Sequence, residues 1–243
     1  MDNIHPPWLN YDAFRPSNRA VYKNASLVLG AFVAGVLVEG FSTMIAKSFW
    51  ITGRVGSNNA KRRLGYNARH LLEIFYPDGM LRSNEGWKIT LRIRFIHAKV
   101  RYLLKHSDEW DLQAWGCPLS AAHLGFAISV FSMRLLHFAK RLGVRFNQKE
   151  QESIMQVWRY VGYLFGIPET VLYKTQKDAR RIFKIALLCE PPPDETSARV
   201  ANALIGAVPE VTDIQDEKEA NDPVSYTHLR AHETVLSRMP SSA

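Results

Sequence analysis

Only two cysteines, Cys117 and Cys189, occur in 243 residues. That excludes a disulfide-built scaffold and any cysteine-rich zinc or iron–sulfur site, and it makes a reducing, intracellular compartment the expectation. No signal-peptide pattern opens the chain, because Met1–Tyr22 carries Pro6, Pro7 and Pro16 among scattered charges and lacks an apolar core. Long apolar runs are missing too. The nearest is Ala25–Val38, ASLVLGAFVAGVLV, which Glu39 ends short of the roughly 20 residues a membrane span needs. Continuing to Trp50 would carry Glu39 and Lys47 into lipid at about 3 kcal/mol each. A buried first helix is therefore expected there, with a membrane anchor as the less favoured reading. Strand-like alternation and solenoid-length repeats are also lacking.

Hydrophobic residues make up 47% of the chain, enough for a globular core. Formal charge is +8 with a pI near 9.5. The Lys and Arg residues are dispersed and match no nucleic-acid motif. The charge therefore points to an anionic partner, either a phospholipid surface or an acidic ligand, and no nucleic acid is expected.

Taken in order, residues 1–24 read as an irregular, proline-rich N-terminal arm and 25–49 as an apolar helix. A helix over about 59–76 ends at the turn Tyr76-Pro77-Asp78-Gly79. Further helices are expected over 86–105, 119–141, 148–166, 178–189 and 195–207. The expected architecture is all-α: a single helical domain over 25–210 of about seven or eight helices, followed by an acidic linker at 211–222. Pro223–Thr234 reads PVSYTHLRAHET, the conceptual translation of a common transposase sequencing adapter. Residues 223–243 are accordingly expected to be an adapter artefact, which removes His228 and His232 from consideration as ligands.

The most informative stretch is Gly86–Arg101, GWKITLRIRFIHAKVR. At about 100° per residue, Ile89, Ile93, Ile96, Val100, Leu103 and Leu104 form one apolar stripe. His97 sits at its edge, with Arg94 one turn before and Arg101 one turn after. A flat apolar ligand with acidic edges, such as haem, would suit this face; so would an ordinary buried histidine with a hydrogen-bond partner. On the preceding helix Arg63, Tyr66, Asn67 and His70 share a face through spacings of three and four. His123 and His137 lie on one helix without a carboxylate at ligand spacing, Trp158-Arg159-Tyr160 reads as core, and Cys117 lacks an activating neighbour.

Several segments together carry a family resemblance: Arg63-Leu64, PDGML around Gly79, the R-x-R-x-x-H-A-x-V-R of Arg92–Arg101, Trp110-Asp111, Gly116-Cys117-Pro118-Leu119, Leu142-Gly143-Val144, and W-R-Y-V-G-x-L-x-G-I-P over Trp158–Pro168. The chain resembles the rubber-oxygenase catalytic-domain family over about residues 27–210. That family includes latex-clearing proteins and a fungal endoplasmic-reticulum-bound oxygenase. The resemblance implies an all-α domain enclosing one haem b, with His97 as the axial iron ligand. Arg63 matches a distal arginine. Asn67 stands where the family has threonine, Tyr66 where it has a lysine able to cap the iron, and Ala121 lies nearest a missing glutamine. Bottom-up chemistry agrees that haem needs a neutral imidazole, apolar walls and cations for its propionates; Arg94 and Arg101 are the candidates for the last.

The expected function is a haem-dependent oxygenase (an oxidoreductase) using O2 on a hydrophobic unsaturated substrate such as an isoprenoid or lipid-like chain, with Arg63 and Asn67 acting at the bound oxygen. Association with a membrane surface is expected where such substrates reside, at the endoplasmic reticulum if the chain is fungal-like. The alternative is a non-catalytic haem- or lipid-binding protein that keeps the fold.

Overall fold

The computed structural model describes residues 5–53 and 57–206, and every regular element among them is helical. The expected linker at 211–222 and the adapter-like tail at 223–243 lie outside the described residues. In chain order the helices longer than two turns are α1 (Arg15–Lys23), α2 (Ala25–Gly40), α3 (Ile45–Gly53), α4 (Ser57–Phe75), α5 (Glu85–Lys105), α6 (Ala121–Arg141), α7 (Gln148–Leu164), α8 (Gln176–Cys189) and α9 (Glu195–Gly206), with a single turn at Leu112–Trp115 before α6. The all-α expectation holds.

α7 is the axis of the core. Asn147 caps it in a reciprocal pair with Glu150, and Ile154, Val157, Trp158, Tyr160 and Val161 are all but inaccessible. A helix apolar on nearly every side must be surrounded, and α1, α5 and α6 pack round this one.

The expected irregular arm is in part helical. A 3-10 turn over Tyr11–Phe14 leads into α1, and Pro16 lies in the first turn, where its missing N–H costs nothing. Ser17 and Val21 are buried, and the Ser17 N–H donates to Ser153 Oγ on α7 at 3.0 Å. The prolines look like breakers in sequence, but Pro16 starts a helix.

The helix expected over 25–49 breaks after Gly40. Ser42 Oγ donates to Glu39 O and Thr43 Oγ1 to Gly40 O, each at 2.7 Å, and these local bonds compete with the helical ladder. α2 is a core helix, as expected: Val28, Phe32, Val33, Val36 and Leu37 are buried. It widens into a π-helix over Ala31–Leu37, which packs on the π segment Val130–Arg134 and the helical turns that follow it in α6. The Phe32 and Phe131 rings meet there at 5.8 Å. The Phe138 ring lies so close to Gly35 that a Cβ would overlap it.

Glu39 closes this packing by accepting from Arg134 Nε at 2.7 and 3.0 Å, while the guanidinium lies 4.8 Å from the Phe138 ring centre. Glu39→Gln keeps the shape but loses the charge. It is expected to cost about 1 kcal/mol, read as a lower urea midpoint at unchanged slope. An unmoved midpoint would show that the pair contributes nothing.

Candidate functional site

The hairpin of α4 and α5 carries the residues that the sequence marks for the site. α4 stops where Pro77 and Asp78, the latter at φ 60°, turn the chain, and Gly79 N–H donates to Tyr76 O at 2.8 Å. Glycine is required at the crossing. A Cβ on Gly86 would stand 2.5 Å from Glu73 O, and one on Gly79 would overlap the same oxygen. Backbone meets backbone here, so no rotamer change relieves the clash. Gly86→Ala is expected to cost about 1–3 kcal/mol and to lower the thermal midpoint by roughly 2–10 °C in a circular-dichroism melt. An unchanged melt would mean that the hairpin yields freely.

One turn along, His70 Nε2 lies 2.9 Å from Thr90 Oγ1, which lies 2.7 Å from Gly86 O. A carbonyl only accepts, so the single hydroxyl hydrogen of Thr90 goes to Gly86. The hydroxyl then accepts from His70 Nε2–H. His70 is buried, and its pKa falls to about 3, from burial first and from His97 second. With Nε2 committed to Thr90, His70 behaves as a satisfied core histidine.

The pairs Glu73 with Gly86 and His70 with Thr90 set an antiparallel register. Seven residues back from His70 is Arg63, and seven on from Thr90 is His97. Both steps climb about 10 Å, which brings Arg63 and His97 level on the facing helices.

His97 Nδ1 is buried and has no hydrogen-bond partner among the described residues. The ring meets Phe165 edge-to-face at 5.1 Å, and Phe165 also lies 6.3 Å from the His70 ring. Burial, then Arg101, lowers the His97 pKa to about 4, so the imidazole is neutral at pH 7. The stripe beside it is only half realised. Ile89 and Leu104 are buried and Ile93 and Val100 half-buried, but Ile96 and Leu103 face outward. The stripe spans too wide an arc for one contact surface to cover.

The expected polar face of α4 divides in the same way. Arg63 is half-buried with its guanidinium 4.6 Å from the Phe49 ring centre on α3, and its pKa is lowered by burial and by Arg62. Asn67 is half-buried, whereas Tyr66 is 62% exposed.

Arg94 and Arg101, two of the three arginines of α5, reach backbone carbonyls. Arg94 Nη1 donates to Leu164 O at 3.1 Å, at the C-terminal end of α7. Arg101 donates twice to Leu119 O, at 2.7 and 3.2 Å. They tie α5 to the two loops beside it and keep their remaining N–H groups.

The other candidates fall elsewhere. His123 Nδ1 lies 3.0 Å from Ser120 Oγ and its Nε2 3.5 Å from Glu190, while His137 packs against Phe138. Ala121 merely begins α6, and Cys117 and Cys189 are free and exposed. Trp158 is core as expected, packed on Phe75, Phe131 and His70. Among the described residues no three His, Cys, Asp or Glu side chains gather at metal-binding distance. A metal held by protein side chains alone has no such cluster there, whereas a haem iron needs a single imidazole. Sequence reasoning missed Thr90 and Phe165; Thr90 could have been found from its place on the His97 side of the helical wheel.

Comparison with known proteins shows the family and the fold. Residues 19–239 match the model of the family described as ER-bound oxygenase mpaB/B'/Rubber oxygenase, catalytic domain. The matched span enters the adapter-like stretch, whose origin is tested by re-reading the source transcript beyond Asp222. The chain is 27% identical over 164 residues to the Rubber oxygenase of Streptomyces sp. (strain K30), covering 64% of this chain and 39% of that protein. It thus spans about two-fifths of that relative's length. A structure of latex clearing protein LCP in the closed state superposes with a TM-score of 0.74 at 17% identity, over 96% of this chain and 67% of that one, which shows the fold. On the breadth of the family match, the chain belongs to the ER-bound oxygenase mpaB/B'/Rubber oxygenase catalytic-domain family.

Proposed function

We propose that the protein is a haem b-dependent oxygenase that uses O2 on a hydrophobic, unsaturated isoprenoid or lipid-like chain and cleaves a carbon–carbon double bond to leave carbonyl fragments. The observation that carries this reading is His97, a neutral imidazole with a buried ring nitrogen that no group among the described residues satisfies. Leaving such an atom unpaired costs about 1–3 kcal/mol, and ligation of a metal group is one way to recover it. When bound, haem supplies the redox-active iron that O2 chemistry requires.

The residues of the chain would do the rest. His97 would hold the haem iron. Arg94 spends one N–H on Leu164 and Arg101 two on Leu119, so each keeps donors for propionates. Arg63, level with His97, would offer a fixed cation toward charge developing on oxygen, and Asn67 one turn away would donate through its amide. An amide does not ionise, so Asn67 holds where the family's threonine could relay a proton. Phe165, Ile93 and Val100 would exclude water beside the imidazole. Substrates of this kind partition into lipid, so the protein would work at a lipid boundary.

The test is an absorption spectrum of the full chain purified with haem supplied, followed by O2 uptake with polyprenyl substrates. A Soret band with uptake and carbonyl products supports the reading. Absence of the band sinks it. A band without uptake, unchanged in Asn67→Thr, favours the non-catalytic haem-binding alternative, to which the outward-facing Tyr66 already lends weight.

A further inference from the structure

We infer that the outer face of α5, turned away from His97, is a docking surface for anionic phospholipid. Of the large hydrophobic side chains left exposed among the described residues, four stand on this one helix: Phe95 at 73%, Ile96 at 57%, Tyr102 at 64% and Leu103 at 48%. Placing Phe95 at zero and stepping about 100° per residue puts them within an arc of roughly 120°. The same arc holds Lys88, Arg92 and Lys99, all exposed. His97, Thr90 and Leu104 fall on the opposite side, toward α3, α4 and α7.

The arc has one acid, Glu85, which lies in the first turn and accepts from Arg69 while standing 3.6 Å from Lys88. Arg92 and Lys99 form no ion pair among the described residues. The surface thus interleaves aromatic and aliphatic side chains with uncompensated cations.

That combination selects among occupants. A second copy docked by two-fold symmetry would set this basic face against itself, in a chain already carrying +8. A covering apolar segment would bury Arg92 and Lys99 without partners, which is unfavourable. Anionic headgroups meet the cations while the upper acyl region receives Phe95, Ile96 and Leu103, and Tyr102 sits well at the boundary between the two. The inference goes beyond the proposed chemistry and does not depend on it, because binding to lipid requires no haem.

The experiment is co-sedimentation of the purified full chain with phosphatidylcholine vesicles, with or without about 30 mol% phosphatidylserine. At low salt the partition coefficient onto the anionic vesicles is expected to exceed that onto neutral ones at least about tenfold, and to fall steeply by about 0.5 M salt. Arg92→Glu with Lys99→Glu should lower it about tenfold or more, and Phe95→Ser with Tyr102→Ser should also lower it, with thermal melts unchanged because all four side chains are exposed. Arg180→Glu with Arg181→Glu makes the same charge change on α8 and should reduce binding far less. No pelleting with anionic vesicles, or an equal loss in the α8 variant, overturns the inference. So does a dimer in sedimentation velocity that Phe95→Ser with Tyr102→Ser dissolves, since that names a second copy as the occupant. Haem spectra recorded on the same samples separate this outcome from the fate of the oxygenase reading.

Discussion

His97→Ala protein, expressed with haem supplied, is expected to lose the native Soret spectrum and to bind haem more than about a hundredfold more weakly, with no O2-dependent turnover left. The apo fold should survive. His97 Nδ1 has no hydrogen-bond partner among the described residues, so truncation strands no buried polar group there, and far-ultraviolet circular dichroism should stay as it was. His70→Ala should do the reverse. It removes the donor to Thr90 from a buried position and so lowers stability, but the axial ligation read from the spectrum should persist in whatever protein folds. A native spectrum in His97→Ala would sink the assignment, and a lost spectrum in a folded His70→Ala would move it to His70. The two variants together separate ligation from packing.

Acid should unfold the haem-free protein earlier than its carboxylates alone would require. His70 is held neutral in the fold with its pKa lowered to about 3. Unfolded, it regains a value of about 6.5. Between these values the unfolded chain binds a proton that the native one refuses, so stability is full above about pH 6.5 and falls as pH drops toward 3. By pH 4.5 the loss from His70 is about 3 kcal/mol, and His97, lowered to about 4, adds a loss of the same sign and similar size. Urea midpoints measured between pH 8 and 4.5 should decline accordingly. In His70→Gln, whose amide can still donate to Thr90, about half of that slope should disappear. A wild-type midpoint flat across this range would show that both imidazoles reach solvent.

Much of the helical layout can be read from local chemistry. Asn147 with Glu150 and Thr175 with Asp178 form capping boxes where α7 and α8 begin, and Pro77-Asp78-Gly79 ends α4. These signals act within a few residues, which is why they can be seen in a single chain. Pro16 misleads because a proline that opens a helix and one that breaks it look alike without the neighbours that bury Ser17 and Val21. The site divides along the same line. His97, Arg63, Arg94 and Arg101 stand out by helical spacing and by family resemblance. What Arg94 and Arg101 hold, however, is decided by Leu164, seventy positions away, and by the left-handed turn at Leu119. The outward turn of Ile96 and Leu103 is likewise a tertiary fact, because a hydrophobic pattern shows which residues share a face and not how much of that face is covered.

The crossing at Glu73, Gly79 and Gly86 has a mechanical consequence. α4 and α5 behave like the arms of a pair of tongs whose pivot is locked by backbone contact and by the His70–Thr90–Gly86 chain of hydrogen bonds. A molecule entering between the arms would be admitted by spreading them toward the far end, where Arg63 and His97 stand level. Small rotations at the pivot become large separations there, so compliance rises along the hairpin. Amide exchange should report it as a gradient, slowest near His70 and Thr90 and faster toward the ends of the arms.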